Sequence, residues 1–432
     1  MKPAAYAIYT AGLYLLSPAL AAWYALRVRK RRMGLRGMGE RLGGAPELPP
    51  AGGEGRLWIH AVSMGEMAVA ATLVAALREK RPGLRVVLST VTDTGREAAS
   101  RVPGAEAAFY LPFDFPFAVR RALGRVRPSA LALIETELWP NLIRLASGGG
   151  IPVAVVNGRL SERSFRGYRR FFPLFGSPVE ELSGVAAREE GDARRFQALG
   201  ARRVLAAGNL KYDAFLPAEP GEGLAAYGFE AGAPVIVAGS THPGEEAAVA
   251  RALRGPRERH PRLGLLVAPR HLPRVDEAEA VLRAEGLAPV RWSAGSKEGG
   301  GRPAPGRVVL LDVMGRLAGA YEGAALAFIG GSLIPHGGQN PIEAARWGVP
   351  VVFGPHMSNF AEVAAALVRE GGAIQVEGPH ALGMAFEGWL ADPAARGRAG
   401  EAARGVVKAN QGAAARTADF LLDLLGPAEE LR

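Results

Sequence analysis

The sequence predicts an α/β protein of two consecutive doubly wound, Rossmann-like domains facing a cleft, preceded by an N-terminal membrane-anchor helix. Three observations carry that prediction. Short, nearly continuous apolar runs alternate with helix-length segments through both halves of the chain, which marks parallel strands buried on both faces. A stretch rich in Pro and Gly, KYDAFLPAEPGEGLAAYGFEAGAPV, separates the halves as a hinge. At the N-terminus no charged side chain occurs from Pro3 to Leu26, and RVRKRRMGLR follows directly.

The anchor, residues 1–26, is long enough to span a hydrocarbon core of about 30 Å, with a kink expected at Pro18. The basic collar on its C-terminal flank holds the body of the protein on the cytoplasmic side and draws anionic head groups. A cleaved signal peptide is the rival reading, because ALAA imitates a cleavage site. Its charge would precede the apolar core, whereas here it follows. The expectation is therefore an uncleaved anchor, spanning the inner membrane or lying in its inner leaflet.

Residues 27–212 form the first domain, with strands at LWIHAV, RVVLST, AAFYLPF, ALALIE, PVAVVN, GVAAR and RVLAAG. Residues 213–432 form the second, with strands at PVIVAGS, LGLLVAPR, VVLLD, LAFIGGS, VPVVFG and AIQVE. Within it SAGSKEGGGRPAPG is a mobile surface loop, and AARTADFLLDLLG is a terminal helix suited to pack across the hinge.

Composition narrows the function classes. The net charge of +10 is weak support for an anionic partner, since arginine so dominates lysine that coding bias contributes. No nucleic-acid-binding module is present. The chain has no cysteine, which removes disulfides and thiolate metal sites. The histidines are scattered without metal-ligand spacing, so no metal is expected. Ser63 lacks a nucleophile-elbow context, and no Gly-x-Gly-x-x-Gly opens the first helix, which argues against hydrolase and dehydrogenase chemistry.

Ligands of doubly wound sheets bind beyond the carboxyl ends of the strands. Glu66, in WIHAVSMGE, stands where a buried strand hands over to a helix. An acid there complements the helix dipole, which alone explains it and would keep the carboxylate ionised. STVTDTG (89–95) and IETELWPN (134–141) follow strands of the same sheet and bring Thr90, Thr92, Asp93, Glu135 and Glu137 to the same rim. Carboxylates and hydroxyls so grouped suit acid–base work on a sugar hydroxyl. The arginines of NGRLSERSFRGYRR (157–170) form either a solvated basic helix or a surface for phosphate or membrane. Lys211 precedes the hinge.

In the second domain, AGSTHPGEE (238–246) is expected to offer free backbone N–H groups to a phosphate. Arg270 ends the next strand. The glycine-rich IGGSLIPHGGQNPIEAARWGVPVVFGPH (329–356) lets backbone approach a ligand closely. Its NPIE starts a helix with Asn340 as N-cap, Pro341 at N1 and Glu343 at N3. Capping alone would account for these three, and a sugar-nucleotide site would use them equally.

Together HAVSMGE, IETELWPN, NGRLSERS, GNLKYD, STHPGEE, PRH, GGSL…GGQNPIEAA and GPHMSNF resemble the 3-deoxy-D-manno-octulosonic acid (Kdo) transferases of lipopolysaccharide biosynthesis, in order from about residue 10 to 415. The resemblance implies a GT-B glycosyltransferase fold, no cofactor and no metal. It implies transfer of Kdo from CMP-Kdo to the 6′-hydroxyl of a tetraacylated, bisphosphorylated lipid A precursor, with inversion. Glu66 then matches the catalytic base, and Glu135 and Lys211 match positions that stabilise the transition state. Pro269, Arg270, Met314, Gly315, Arg316 and the run Asn340, Pro341, Ile342 and Glu343 match the CMP site. At 316 the family usually has an acid and this chain has Arg. The alternatives are another GT-B transferase of lipid A synthesis using a UDP-sugar, or a non-catalytic membrane-attached adaptor.

Overall fold

The computed structural model describes residues 3–29, 37–214, 223–297 and 305–427. Most of the basic collar, the middle of the hinge and the tip of the SAGSKEGGGRPAPG loop lie outside the described residues. The chain divides into two compact units, 1–215 with 411–432, and 216–410.

Among the described residues the first unit holds one parallel sheet of seven strands: β1 (Arg56–His60), β2 (Arg85–Thr90), β3 (Ala105–Tyr110), β4 (Ala130–Ile134), β5 (Val153–Gly158), β6 (Gly184–Ala187) and β7 (Val204–Ala206), in the order β3-β2-β1-β4-β5-β6-β7. The strands are continuous apolar runs because both faces are covered. Register fixes which residues share a layer: Trp58 pairs with Val87 on one side and Leu131 on the other. One core lies under the helices Met64–Lys80 and Ala413–Leu425, with Leu73, Leu77 and Leu421 packed on Ile59 and Ile134. On the opposite face Val119, Ile143 and Phe196 cover Leu131 and Val155. The terminal helix Ala413–Leu425 thus belongs to the first unit. Asp213 caps it, its carboxylate accepting from the N–H groups of Gly412 (2.8 Å) and Ala414 (2.6 Å).

The second unit holds β8 (Val235–Thr241), β9 (Gly264–Pro269), β10 (Pro289–Arg291), β11 (Val308–Leu310), β12 (Leu326–Ile329), β13 (Val351–Phe353) and β14 (Ala373–Gln375), ordered β10-β11-β9-β8-β12-β13-β14. The three-residue edge strand β10 is additional to the sequence expectation. In each sheet the order reverses beside the first strand, between β1 and β4 and between β8 and β12, and these switch points are where ligands of such sheets bind.

Of the two placements expected for the N-terminal segment, spanning the membrane finds no support. Helix Pro3–Arg29 forms, but among the described residues no helix is long and apolar enough to cross a membrane. Its first turns are docked on the first unit instead. Ala5 and Tyr6 are buried, the Tyr9 hydroxyl donates to Asp114 Oδ2 (2.9 Å), and the Thr10 hydroxyl donates to Asn141 Oδ1 (3.1 Å). The tyrosines and threonine that dilute the apolar run are the ones that make this docking face.

Candidate functional site

At the first switch point, β1 turns through Ala61 and Val62 into helix Met64–Lys80. Ser63 is its N-cap, accepting the Glu66 N–H at 3.4 Å. Glu66 reaches back. Its Oε2 accepts the Val62 N–H (2.8 Å) and its Oε1 accepts the Ser63 hydroxyl (3.1 Å), a reciprocal arrangement close to a capping box. Burial nevertheless pushes Glu66 up to about 7, with the charges of Glu135 and Glu137 adding to the effect and the two hydrogen bonds opposing it. The expectation that the helix start keeps this carboxylate ionised is therefore corrected: two donors do not replace the solvation lost.

Neighbouring β4 ends at Glu135, held at a left-handed φ of 63° while its N–H donates to Val156 O at 2.9 Å. The buried Arg188, just past β6, donates through Nη2 to Glu135 Oε1 and through Nε to Asn157 O (3.2 Å). Asn157, at the end of β5, is also left-handed, with φ 52°. Its Oδ1 accepts the Leu210 N–H (3.1 Å), which pins the turn where Asn209 Oδ1 accepts the Lys211 N–H at 3.1 Å. Arg188 and Asn157 thus tie the loop of Glu135 to the loop of Lys211. Glu137 is raised by burial, with Glu135 adding to the effect. The result is an acid-rich rim at neutral pH, where one carboxyl is poised to exchange a proton.

At the second switch point the backbone is crowded. Ser240 takes a φ of 53°, and a Cβ on Gly330 would lie 2.2 Å from Ser240 O. The glycine-rich loop is stapled from within. Glu245 accepts the N–H groups of His242 (2.9 Å), Gly331 (2.7 Å), Ser332 (3.0 Å) and Leu333 (3.0 Å). The N–H of His242, expected to be free for a phosphate, is therefore engaged by the chain's own carboxylate. Thr241 and Arg274 both donate to Glu246.

Beyond these strands lies a cavity of about 230 Å³, lined by Pro269, Arg270, Met314, Gly315, Tyr321, Gln339, Asn340 and Glu343 among others. Asn340 Oδ1 accepts the Ile342 N–H (3.0 Å) and its Nδ2 donates to Glu343 Oε1 at 3.4 Å. Asn340 therefore does cap the turn, but Glu343 completes no box with the backbone. Burial raises Glu343, against Asn340, Arg346 and Arg270. Larger hollows of about 770 and 670 Å³ lie elsewhere, one by Pro234 and Ala325 at the opposite ends of β8 and β12, the other by Tyr6 and Arg144. Neither gathers the acids and strand-end turns found here, so the smaller cavity is the candidate site.

The structure brings Glu66, Glu135 and Glu137 into mutual electrostatic reach and places Lys211 on the tied turn. Six of the nine residues expected at the nucleotide line one cavity. Pro341 and Ile342 do not line it, and Ile342 is buried beneath. Arg316 does not line it either: its guanidinium lies 5.5 Å from the Trp292 ring and its carbonyl accepts the Tyr227 hydroxyl at 2.8 Å. Arg188 was missed because its partner is 53 residues away.

The region 36–214 matches the family model described as 3-deoxy-D-manno-octulosonic-acid transferase. The chain is 39% identical to the 3-deoxy-D-manno-octulosonic acid transferase of Bordetella pertussis, covering 97% of this chain and 99% of the relative. It is 33% identical to that of Haemophilus influenzae, with 97% of each covered. Among solved structures it is similar to Acinetobacter baumannii MurG, with a TM-score of 0.51 and 14% identity over 84% of this chain and 98% of the other, a likeness of fold alone.

Proposed function

The chain belongs to the 3-deoxy-D-manno-octulosonic acid transferase family of glycosyltransferases, with the GT-B fold, and from that premise we propose that it transfers Kdo from CMP-Kdo to the 6′-hydroxyl of a tetraacyldisaccharide bisphosphate lipid A precursor, inverting the anomeric centre. The observation that carries the assignment of roles is Glu66, a carboxyl raised to about 7 at the switch point of the first sheet. A base with that pKa is half ionised at neutral pH and still basic enough to assist the attack of a sugar hydroxyl.

In this reading the Glu66 carboxylate takes the proton of the acceptor hydroxyl as its oxygen bonds to the anomeric carbon of Kdo. The bond from that carbon to the CMP phosphate breaks, and CMP leaves with the electron pair. Glu135, fixed by Arg188, and Lys211, fixed through Asn209, face the charge that develops at the reacting centre. In the second unit Arg270 balances the departing phosphate, and Asn340 and Glu343 hold the nucleoside from the cavity wall. The roles thus divide, the base with the first unit and the donor with the second.

The acceptor is a lipid, so the reaction belongs at the cytoplasmic face of the inner membrane. Helix Pro3–Arg29 exposes Ile8, Leu15 and Leu16 next to its docked face, and Phe117 of the first unit is also exposed. That apolar surface suits a helix lying on the leaflet rather than crossing it.

The test is product formation from CMP-Kdo and the lipid A precursor, read by mass spectrometry, with the parent protein and Glu66→Ala. Product from the parent and none above background from the variant is expected. Equal product from both overturns the base. Protection of the parent from thermal unfolding by UDP but not by CMP overturns the donor.

A further inference from the structure

Three imidazoles converge beside the cavity of the second unit. The ring of His242 stands 4.0 Å from that of His336 and 5.9 Å from that of His271, centroid to centroid. Each comes from a different turn: His242 follows β8, His271 follows β9, and His336 lies in the glycine-rich stretch after β12. The Gln339 amide lies 3.2 Å from His242 Nε2 and, having only hydrogens to give, donates to it. The proton of a neutral His242 ring is therefore on Nδ1. Gln339 also lines the cavity, so the trio adjoins it.

Among the described residues the acids on the turns that carry these rings are engaged elsewhere, and Glu343 of the cavity wall interacts with Arg270, while no acid acts on the His242 ring. Glu245 is taken by four backbone N–H groups, Glu246 by Thr241 and Arg274, and Glu277 by Arg274. Arg270 precedes His271 and lines the cavity, whereas Arg274, close to His242, is paired with Glu246 and Glu277. Burial, then His336, His271, Arg274 and Arg270, push His242 down to about 4, so the ring is neutral at pH 7 and its cationic neighbours add to that effect. Among the described residues no group of histidines and carboxylates is arranged to hold a metal ion. Imidazole N–H and guanidinium donors gathered from three neighbouring turns suit an oxyanion.

We propose that His242, His271 and His336, with Arg270, form an oxyanion subsite adjoining the cavity, which takes a phosphate or carboxylate group of the donor. The proposal rests on the nucleotide-sugar reading of that cavity and deepens it. CMP-Kdo carries both groups, the phosphate on the nucleoside and the carboxylate on the anomeric carbon of the sugar. A subsite for either fits a trio that adjoins the cavity through Gln339 without lining it.

The trio is tested by titration calorimetry on the full chain with cytidine, CMP and CMP-Kdo, comparing the parent with the double variant His271→Ala, His336→Ala. Both residues are exposed, and an unchanged melting temperature confirms an intact fold. The expected result is unchanged cytidine affinity with an oxyanion ligand weakened by roughly tenfold or more, the scale of a lost charge-assisted contact. Equal weakening of CMP and CMP-Kdo assigns the subsite to the phosphate. Weakening of CMP-Kdo alone assigns it to the carboxylate. CMP and CMP-Kdo affinities that both match the parent overturn the subsite, as does a loss shared equally by cytidine. A parent protein that binds neither CMP nor CMP-Kdo overturns the donor reading itself, which is a separate failure.

Discussion

Glu66 and Glu245 occupy the same place in two sheets. Each ends a four-residue turn with glycine at its third position, Ser-Met-Gly-Glu and His-Pro-Gly-Glu, that carries the first strand of its unit into the following helix. Their partners differ. Glu66 accepts one backbone N–H and one hydroxyl, whereas Glu245 accepts four backbone N–H groups, three of them from the loop after β12. Burial raises both, but Glu245 has no spare acceptor capacity facing a ligand, and Glu66 has. The number of donors converging on a buried carboxylate, not its position at a helix start, separates a structural staple from a working group.

The comparison makes four predictions of decreasing size. Glu66→Gln lowers kcat roughly 10²–10⁴-fold with the fold intact. Because the folded pKa of Glu66 is raised to about 7, its contribution to stability is full below its unfolded value and is lost as pH rises through 7. Above pH 7 the variant is therefore at least as stable as the parent, and urea unfolding at pH 8 checks it. A clear loss of stability there would make Glu66 a staple too.

Glu245→Ala is expected to do the reverse. It strands four buried N–H groups and costs the second unit about 3 kcal/mol or more, read by denaturant unfolding. A neutral effect would break the distinction. Gly330→Ala, which sets a methyl group against Ser240 O, costs roughly 1–3 kcal/mol in the same measurement.

The smallest effect is on the pH profile. Since Glu66 must be ionised to act, kcat/KM should fall tenfold per unit below an inflection near 7. Glu135 and Glu137 raise that carboxyl, so Glu137→Gln moves the inflection to lower pH. An inflection that does not move would mean that burial alone sets the pKa.

The strand-end turns were legible because buried parallel strands are apolar throughout, so the first polar residues after them must stand on a rim. That logic placed Glu66 and Glu135 on one rim, while it was the family resemblance that joined Arg270 to Asn340, and both line one cavity. Loop occupancy was not legible. The turn before Glu245 was expected to offer free N–H groups, and nothing local shows that Glu245 fills the amides of a loop 86 residues on. Arg188 escaped for the same reason, and β10 because three residues carry no period. The N-terminal run was visible as apolar, but the spacing of Tyr6, Tyr9 and Thr10 was the clue that it docks on protein.

The return of helix Ala413–Leu425 to the first unit has a consequence for synthesis. The unit that leaves the ribosome first lacks the cover that Phe420 and Leu421 provide until residues 413–425 emerge, so its core stays open while the whole second unit is made. Domains that complete in order of translation avoid that interval. Here the second unit folds as an insertion within the first, and a chain ending at residue 410 should leave an aggregating first unit attached to a soluble second one.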